Sequence, residues 1–130
     1  MLGIRPRGEL KPLQVLPSTP PDYIGNNRAA EIAISRSGRH VYVSNRGHDS
    51  IGLFSADNNS RLLSAVEWMP SQGKGPRFIA LGPDERHLYA ANELTDSIIQ
   101  FAVDEKTGRL RAAGQTIETG SPVCIVFTMP

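Results

Sequence analysis

Two stretches of this chain, IAISRSGRHVYVSNRGHDSIGLFSAD at residues 32–57 and IALGPDERHLYAANELTDSIIQFAVD at residues 79–104, align with each other without a gap. Every matched pair is separated by 47 residues, as His40 and His87 are. Self-similarity at such a period is the sequence signature of a repeat architecture. The chain is therefore built from copies of one structural unit, and the fold follows from that unit.

Partial copies flank the two complete ones. Gly75-Pro76 is matched by Ser121-Pro122, where VCIVF opens a third copy, and GELKPLQVLP from Gly8 resembles GRLRAAGQTI from Gly108. We therefore expect the chain to begin within the tail of an earlier copy. The sequence predicts a single partial domain, which comprises the tail and connection of a preceding unit (1–28), two complete units (29–75 and 76–120) and the first strand of a further unit (121–130).

Each unit contains four short apolar runs rich in β-branched and aromatic residues, which is typical of strands. In the first unit these runs are IAI, HVYVS, IGLFS and LLSAVEW, and turn compositions such as SRSG and ADNNSR separate them. No 11-residue window keeps apolar residues at helical spacing, which predicts almost no helix. Four short strands at this period are typical of a β-propeller blade. The predicted fold is all-β, a partial β-propeller with two complete four-stranded antiparallel blades plus pieces of two flanking blades.

The loops of such blades divide between the two faces of the disc, because successive connections in an antiparallel sheet alternate ends. NRGHDS, GKGPR, NELTDS and TGSP are expected on one face, and SRSG, GPDE, ADNNSR and DEKTGR on the other. We expect a site on the first of these faces.

Charge and composition exclude several classes of function. Lys and Arg total 14 and Asp and Glu total 13, so no large field attracts nucleic acid or an anionic membrane. No segment approaches the ~20 apolar residues of a membrane span. Cys124 is the single cysteine and cannot form an internal disulfide, which is compatible with a reduced compartment. We expect a cytoplasmic protein that uses no cofactor and no metal.

Two motifs resemble a known family. SGRHVYVSNRGHDSIGLF at 37–54, and GKGPRFIALGPDERHLYAANELTDSIIQF at 73–101, are similar to consecutive blades near the C-terminus of lactonase-family propellers, the 6-phosphogluconolactonase-like proteins. The resemblance implies a seven-bladed ring with a central site built from Arg, His and Glu of several blades. Of that site only the Arg of SNRG has a counterpart here, Arg46. The resemblance therefore implies an incomplete site, and we expect the isolated chain to be inactive.

The repeat provides an internal control for candidate site residues. Positions shared by both copies serve the blade, whereas positions that differ in one loop are candidates for chemistry. Asn45 is matched by Asn92 in the second copy. We therefore consider two roles for Asn45, stabilising the turn through local hydrogen bonds or binding substrate. Arg77 follows Gly-Pro at a strand start and is a second substrate-binding candidate, with ion pairing to acids of adjacent blades as the alternative.

Two further residues are candidates for catalysis. Arg46 is matched by Glu93, and a guanidinium can hold an anionic group or stabilise the oxyanion formed when water attacks a lactone carbonyl. The alternative is a loop arginine paired with an acid such as Glu93. His48 could act as a general acid or base, although its match, Thr95, is an ordinary turn residue.

Three hypotheses about function follow. The first is hydrolysis of a sugar-acid lactone such as 6-phosphogluconolactone, with a small-molecule substrate and neither nucleic acid nor membrane as partner. The second is a non-catalytic propeller segment that binds proteins or sugars, and the third is a truncated product without activity. In each case an open arc of blades exposes sheet faces and edges, so self-association through them is expected.

Overall fold

The computed structural model describes residues 2–4 and 7–130, and of Leu2 and Ile4 it describes the backbone only. In this part of the chain the one helical segment is a single 3₁₀ turn, Glu93–Thr95. The rest of the regular structure is β, which confirms the predicted class. The strands are β1 (Leu2–Ile4), β2 (Leu10–Pro12), β3 (Arg28–Ile34), β4 (His40–Arg46), β5 (Ser50–Ala56), β6 (Leu63–Pro70), β7 (Pro76–Leu81), β8 (His87–Asn92), β9 (Ser97–Val103) and β10 (Leu110–Glu118).

Two four-stranded antiparallel sheets form the body of the molecule, with strand orders β3-β4-β5-β6 and β7-β8-β9-β10. Each is a simple up-and-down sheet, and the first three strands of the two sheets pair in the same register. Tyr42 lies opposite Leu53 in the first, as Tyr89 lies opposite Gln100 in the second. β1 and β2 pair separately as a hairpin. We refer to the two larger sheets as blade 1 and blade 2.

The core lies where blade 1 packs against blade 2, with β3 and β4 in contact with β7. The hydroxyl of Tyr42, fully buried, donates a 2.7 Å hydrogen bond to the carbonyl of Gly108 across this interface. Burial of each large apolar side chain stabilises the fold by about 1.5–3 kcal/mol. The buried cluster comprises Tyr42, Ile51, Leu53, Ile79, Leu88, Ala90, Ile99, Phe101 and Leu110.

The other side of blade 1 is covered less completely. Ile32 and Ile34 are 58% and 59% exposed, whereas Ile79, which matches Ile32 in the repeat, is 1% exposed because blade 1 covers it. A cavity of about 600 Å³ borders this side, lined in part by Leu13, Ile32, Ile34 and Leu63. Blade 1 therefore has one apolar face that the described residues leave partly open, which we call the open face.

Residues 119–130 form no strand, although the sequence predicts one at 121–130. The segment still packs like the start of a blade, since Pro122 is buried and the ring of Phe127 lies 5.4 Å from that of Tyr89. A strand needs a hydrogen-bonded neighbour, and the described residues place none beside this segment. Its assignment to a further blade stays a prediction.

The loops lie on the two faces as expected. On one face Oδ1 of Asp49 accepts a 3.0 Å hydrogen bond from the backbone N–H of Gly75, and Oδ1 of Asp96 accepts the equivalent one from Ser121 at 2.8 Å. On the other, both oxygens of Glu85 accept from the backbone N–H of Arg36. The shared aspartates therefore connect each blade to the next segment.

His40 lies in the interface between the blades and is 8% exposed. Its ring packs so closely on Gly108 that a Cβ there would lie 2.6 Å from Cγ of His40. Burial first, and then the positive charge of Arg39, lower the pKa of His40.

We expect this histidine to make stability dependent on pH. Because the pKa of His40 is lower in the folded chain, the unfolded chain binds the proton more tightly, so stability increases with pH. The contribution is complete above the unfolded pKa of about 6.5 and is lost as the pH falls through the folded pKa. Urea unfolding of the wild type and His40→Gln at pH 7.5 and 5.5 measures it. Equal pH dependence in both proteins would contradict the assignment.

Candidate functional site

A cleft of about 380 Å³ opens between the two blades on the face that carries NRGHDS. Arg46, at the end of β4, lies on its blade 1 side, and the loop after β8 supplies Glu93 and Leu94 on the other side. Arg46, a predicted catalytic residue, therefore lies in a concave site between the blades. The side chains that line the cleft include Asn27, Arg28, Arg46, Lys74, Glu93 and Leu94.

The guanidinium of Arg46 forms no ion pair with the residues that the structure describes. The residue is half-buried, and its Nε is buried without a hydrogen-bond partner among the described residues. The one ion pair in this part of the chain joins Arg109 to Glu67, 2.9 Å apart. The alternative in which Arg46 pairs with Glu93 is therefore not the arrangement in the structure. An unsatisfied buried donor costs about 1–3 kcal/mol, which a ligand in the cleft could offset.

Two more cations line the cleft, and the sequence reasoning missed both. Arg28 is the direct cross-strand neighbour of Arg46 in the β3–β4 pair, so their side chains leave the same face of the sheet. Lys74 comes from the connection between the blades, where its backbone N–H donates to Oγ1 of Thr95 at 3.0 Å. Both residues precede the aligned stretches, and the repeat comparison extended upstream would have found them.

His48 does not line the cleft with Arg46. Its ring makes an edge contact with that of Tyr23 at 4.7 Å between centroids, and its Nδ1 lies 2.7 Å from Oγ of Ser50. Its backbone N–H donates to Oδ1 of Asn27 at 3.2 Å. The structure thus separates the two predicted catalytic side chains, and His48 faces the segment that enters blade 1.

An insertion in that segment explains the position of His48. The side-chain amides of Asn45 and Asn92 donate to the carbonyls of Ser18 and Ser71 respectively, so these serines are equivalent. Nine positions separate Ser18 from Asn27, whereas three separate Ser71 from the matching Lys74. The six additional residues carry Tyr23 over His48.

The two predicted substrate-binding residues lie outside the cleft. Asn45 is fully buried, with its Nδ2 donating to the carbonyl of Ser18 at 2.7 Å and its Oδ1 accepting from Nδ2 of Asn27 at 3.0 Å. Both ends of its amide are therefore engaged, which favours the turn-stabilising role. Arg77 is exposed in β7 and has no ion pair within the described residues.

Neither a metal ligand set nor a helix able to cross a membrane occurs in the part of the chain that the structure describes. Within residues 2–4 and 7–130, no three His, Cys, Asp or Glu side chains are grouped so that they could hold a metal ion. Over the same residues no helix has the length and apolarity needed to cross a bilayer.

The sequence and the structure match the same group of proteins. The family described as "Lactonase, 7-bladed beta-propeller" matches residues 3–127. A 6-phosphogluconolactonase of Bacillus subtilis is 38% identical over 120 residues, which are 92% of this chain and 34% of that protein. The chain spans about a third of the length of the curated relatives that it matches along most of its own length.

Two solved structures have the same arrangement of strands. A protein from Lactobacillus plantarum superposes with a TM-score of 0.89 at 29% identity, covering 95% of this chain and 36% of that one. The periplasmic gluconolactonase of Pseudomonas aeruginosa superposes with a TM-score of 0.87 at 32% identity, covering 93% and 34%. Together with the repeat and the two four-stranded blades, these matches show that the chain belongs to the lactonase family of seven-bladed β-propellers.

Proposed function

We propose that this chain forms part of a lactonase that hydrolyses a sugar-acid lactone such as 6-phosphogluconolactone. The observation that carries the proposal is Arg46, whose buried Nε has no hydrogen-bond partner among the described residues and which lines a cleft between two blades of a lactonase-family propeller. The relatives named 6-phosphogluconolactonase and gluconolactonase support a lactone as the substrate class.

The proposed reaction needs no cofactor. Water attacks the lactone carbonyl carbon, the carbonyl oxygen becomes an oxyanion, and collapse of this intermediate breaks the bond to the ring oxygen. The ring oxygen takes up the proton that the attacking water has released and becomes a hydroxyl group, which yields the open sugar acid. Arg46 stabilises the oxyanion by charge-assisted hydrogen bonds, a contribution of about 10²- to 10³-fold in rate for one such donor.

His48 has less support as the general acid or base of this reaction. It lies outside the cleft, with one ring nitrogen within hydrogen-bond distance of Ser50. We expect His48→Gln to reduce lactone hydrolysis much less than Arg46→Ala does. A loss as large as that of the arginine variant would support a role of His48 as general acid or base.

We further propose that the isolated 130-residue chain hydrolyses lactone no faster than buffer. Two blades supply one arginine of a site that the family resemblance distributes over several blades. The test compares the chain alone with a fusion in which the remaining two thirds of the Bacillus subtilis relative complete the ring, by following acid release from the lactone. Activity of the chain alone would contradict its incompleteness, and a folded fusion without activity would contradict the lactonase proposal.

The open face supports a second proposal, that the chain associates with itself. Ile32 and Ile34 expose an apolar surface that in blade 2 is covered by a neighbouring blade. We expect sedimentation velocity to show oligomers of the isolated chain, and Ile32→Asp with Ile34→Asp to shift it towards monomer because charge opposes burial of this face. A wild type that stays monomeric at 100-fold higher concentration would contradict this.

The cytoplasm remains the proposed compartment. Cys124 is free and exposed among the described residues, as a reducing compartment permits. Fractionation of the source cells with compartment markers tests this, and recovery with the periplasmic or secreted markers would overturn it.

A further inference from the structure

We propose that Arg28 and Lys74 form an anion subsite that holds the phosphate group of a phosphorylated lactone, while Arg46 faces the carbonyl. This inference rests on the proposed lactone hydrolysis and adds to it the substrate's charge and the residues that select for it.

The first argument is the juxtaposition of like charges. Arg28 and Arg46 are directly paired across β3 and β4, which places their Cβ atoms about 4.5–5.5 Å apart on one face. Like charges directly opposite each other destabilise a sheet. A bound anion would remove this repulsion, and the cleft beside the two side chains provides room for one.

The second argument is that none of the three cations of the cleft is held in an ion pair. In the part of the chain that the structure describes, Arg28, Arg46 and Lys74 form no ion pair. Of the two acids that line the cleft, Asp49 already accepts hydrogen bonds from the backbone N–H groups of Gly47 and Gly75 through Oδ1. Three cations and two acids, Asp49 and Glu93, line the cleft, so its formal charge is +1.

The third argument comes from the repeat. The residues that match Arg28 and Arg46 in blade 2 are Gly75 and Glu93. Blade 2 forms the same four-stranded sheet as blade 1 without either arginine. The fold of a blade therefore does not require the pair, and its presence in one copy points to a ligand.

The three cations differ in their exposure to solvent, which suits them to different parts of the substrate. Arg46 is half-buried, whereas Arg28 and Lys74 are exposed at the mouth of the cleft. A lactone carbonyl is neutral before attack and offers two cations at the mouth no negative charge to bind. A phosphate monoester carries a charge of about −1.5 to −2 and three acceptor oxygens, which suit a guanidinium and an ammonium together.

The first experiment measures binding to the 130-residue chain itself. Isothermal titration with 6-phosphogluconate, gluconate and inorganic phosphate should show the sugar phosphate binding at least ~10-fold more tightly than gluconate, the scale of one charge-assisted contact. Arg28→Gln should abolish this preference and Arg28→Lys should keep part of it. Arg86→Gln removes one charge from the opposite face and should leave it unchanged.

Several outcomes would overturn the inference. Equal affinity for 6-phosphogluconate and gluconate, or no binding of either, would show that no phosphate subsite exists. Inorganic phosphate that binds as tightly as the sugar phosphate would show a general phosphate site rather than a substrate site. A preference that survives Arg28→Gln would place the subsite elsewhere.

A kinetic experiment in the completed ring separates this inference from the proposed function. Arg28→Gln should raise KM for 6-phosphogluconolactone ~10-fold with kcat nearly unchanged, and should not affect gluconolactone. Arg46→Ala should lower kcat for both lactones. Equal effects of Arg28→Gln on both lactones would contradict the subsite alone, whereas indifference of both reactions to Arg46→Ala would contradict the catalytic proposal.

Discussion

Replacing Arg46 by alanine in the completed ring should lower the rate of lactone hydrolysis by about 10² to 10³, the loss typical of removing one oxyanion-stabilising donor. The expectation rests on the cleft position of Arg46 and on a buried Nε that no described protein group satisfies. Measurement of kcat/KM with gluconolactone isolates this effect, because that substrate lacks a phosphate. Arg46→Lys should recover only part of the rate, since an ammonium lacks the planar fork of a guanidinium.

The matched control for this substitution is Glu93→Ala. Glu93 occupies the same loop position in the repeat and lines the same cleft, but it forms no ion pair with Arg46. We expect a milder effect from it. Near-normal hydrolysis by folded Arg46→Ala would leave Arg46 as a loop residue and remove the main reason for placing the site on this face.

Replacing Ile79 by alanine should destabilise the chain by about 2–5 kcal/mol, because the side chain is 1% exposed and its loss leaves a cavity in the core. The repeat offers a matched control in Ile32→Ala. Ile32 has the same place in its blade and is 58% exposed, so its replacement should cost less than about 1 kcal/mol. Both variants lose the same side chain from the same strand position. The difference between their losses of unfolding free energy therefore measures how much the packing of blade 1 on Ile79 stabilises the chain.

Urea unfolding followed by tryptophan fluorescence measures both free energies, at concentrations low enough to keep the chain dissociated. Trp68, in β6, is the single reporter. Equal destabilisation by the two variants would show that the blades do not pack on each other in solution, and would contradict the arrangement of the core.

Much of the fold was predictable because a blade is a local structure. Its strands and turns come from short runs of residues, and the 47-residue repeat shows each run twice. The rule that positions shared by both copies serve the blade also covers the matched pair Asp49 and Asp96, and both accept backbone hydrogen bonds from the following connection. The comparison also made Arg46 a candidate for catalysis, because its replacement by Glu93 in the second copy is visible without coordinates.

The sequence by itself therefore determined the blade, the order of its strands, the face of each loop and the place of Arg46. Only the tertiary structure decided which side chains meet, because those contacts join segments that are distant along the chain. The insertion that carries Tyr23 packs against the imidazole of His48 and separates it from Arg46. Both polar atoms of the Asn45 side-chain amide form hydrogen bonds within the protein. The register between β3 and β4 places Arg28 beside Arg46. Their separation along the chain does not reveal this contact.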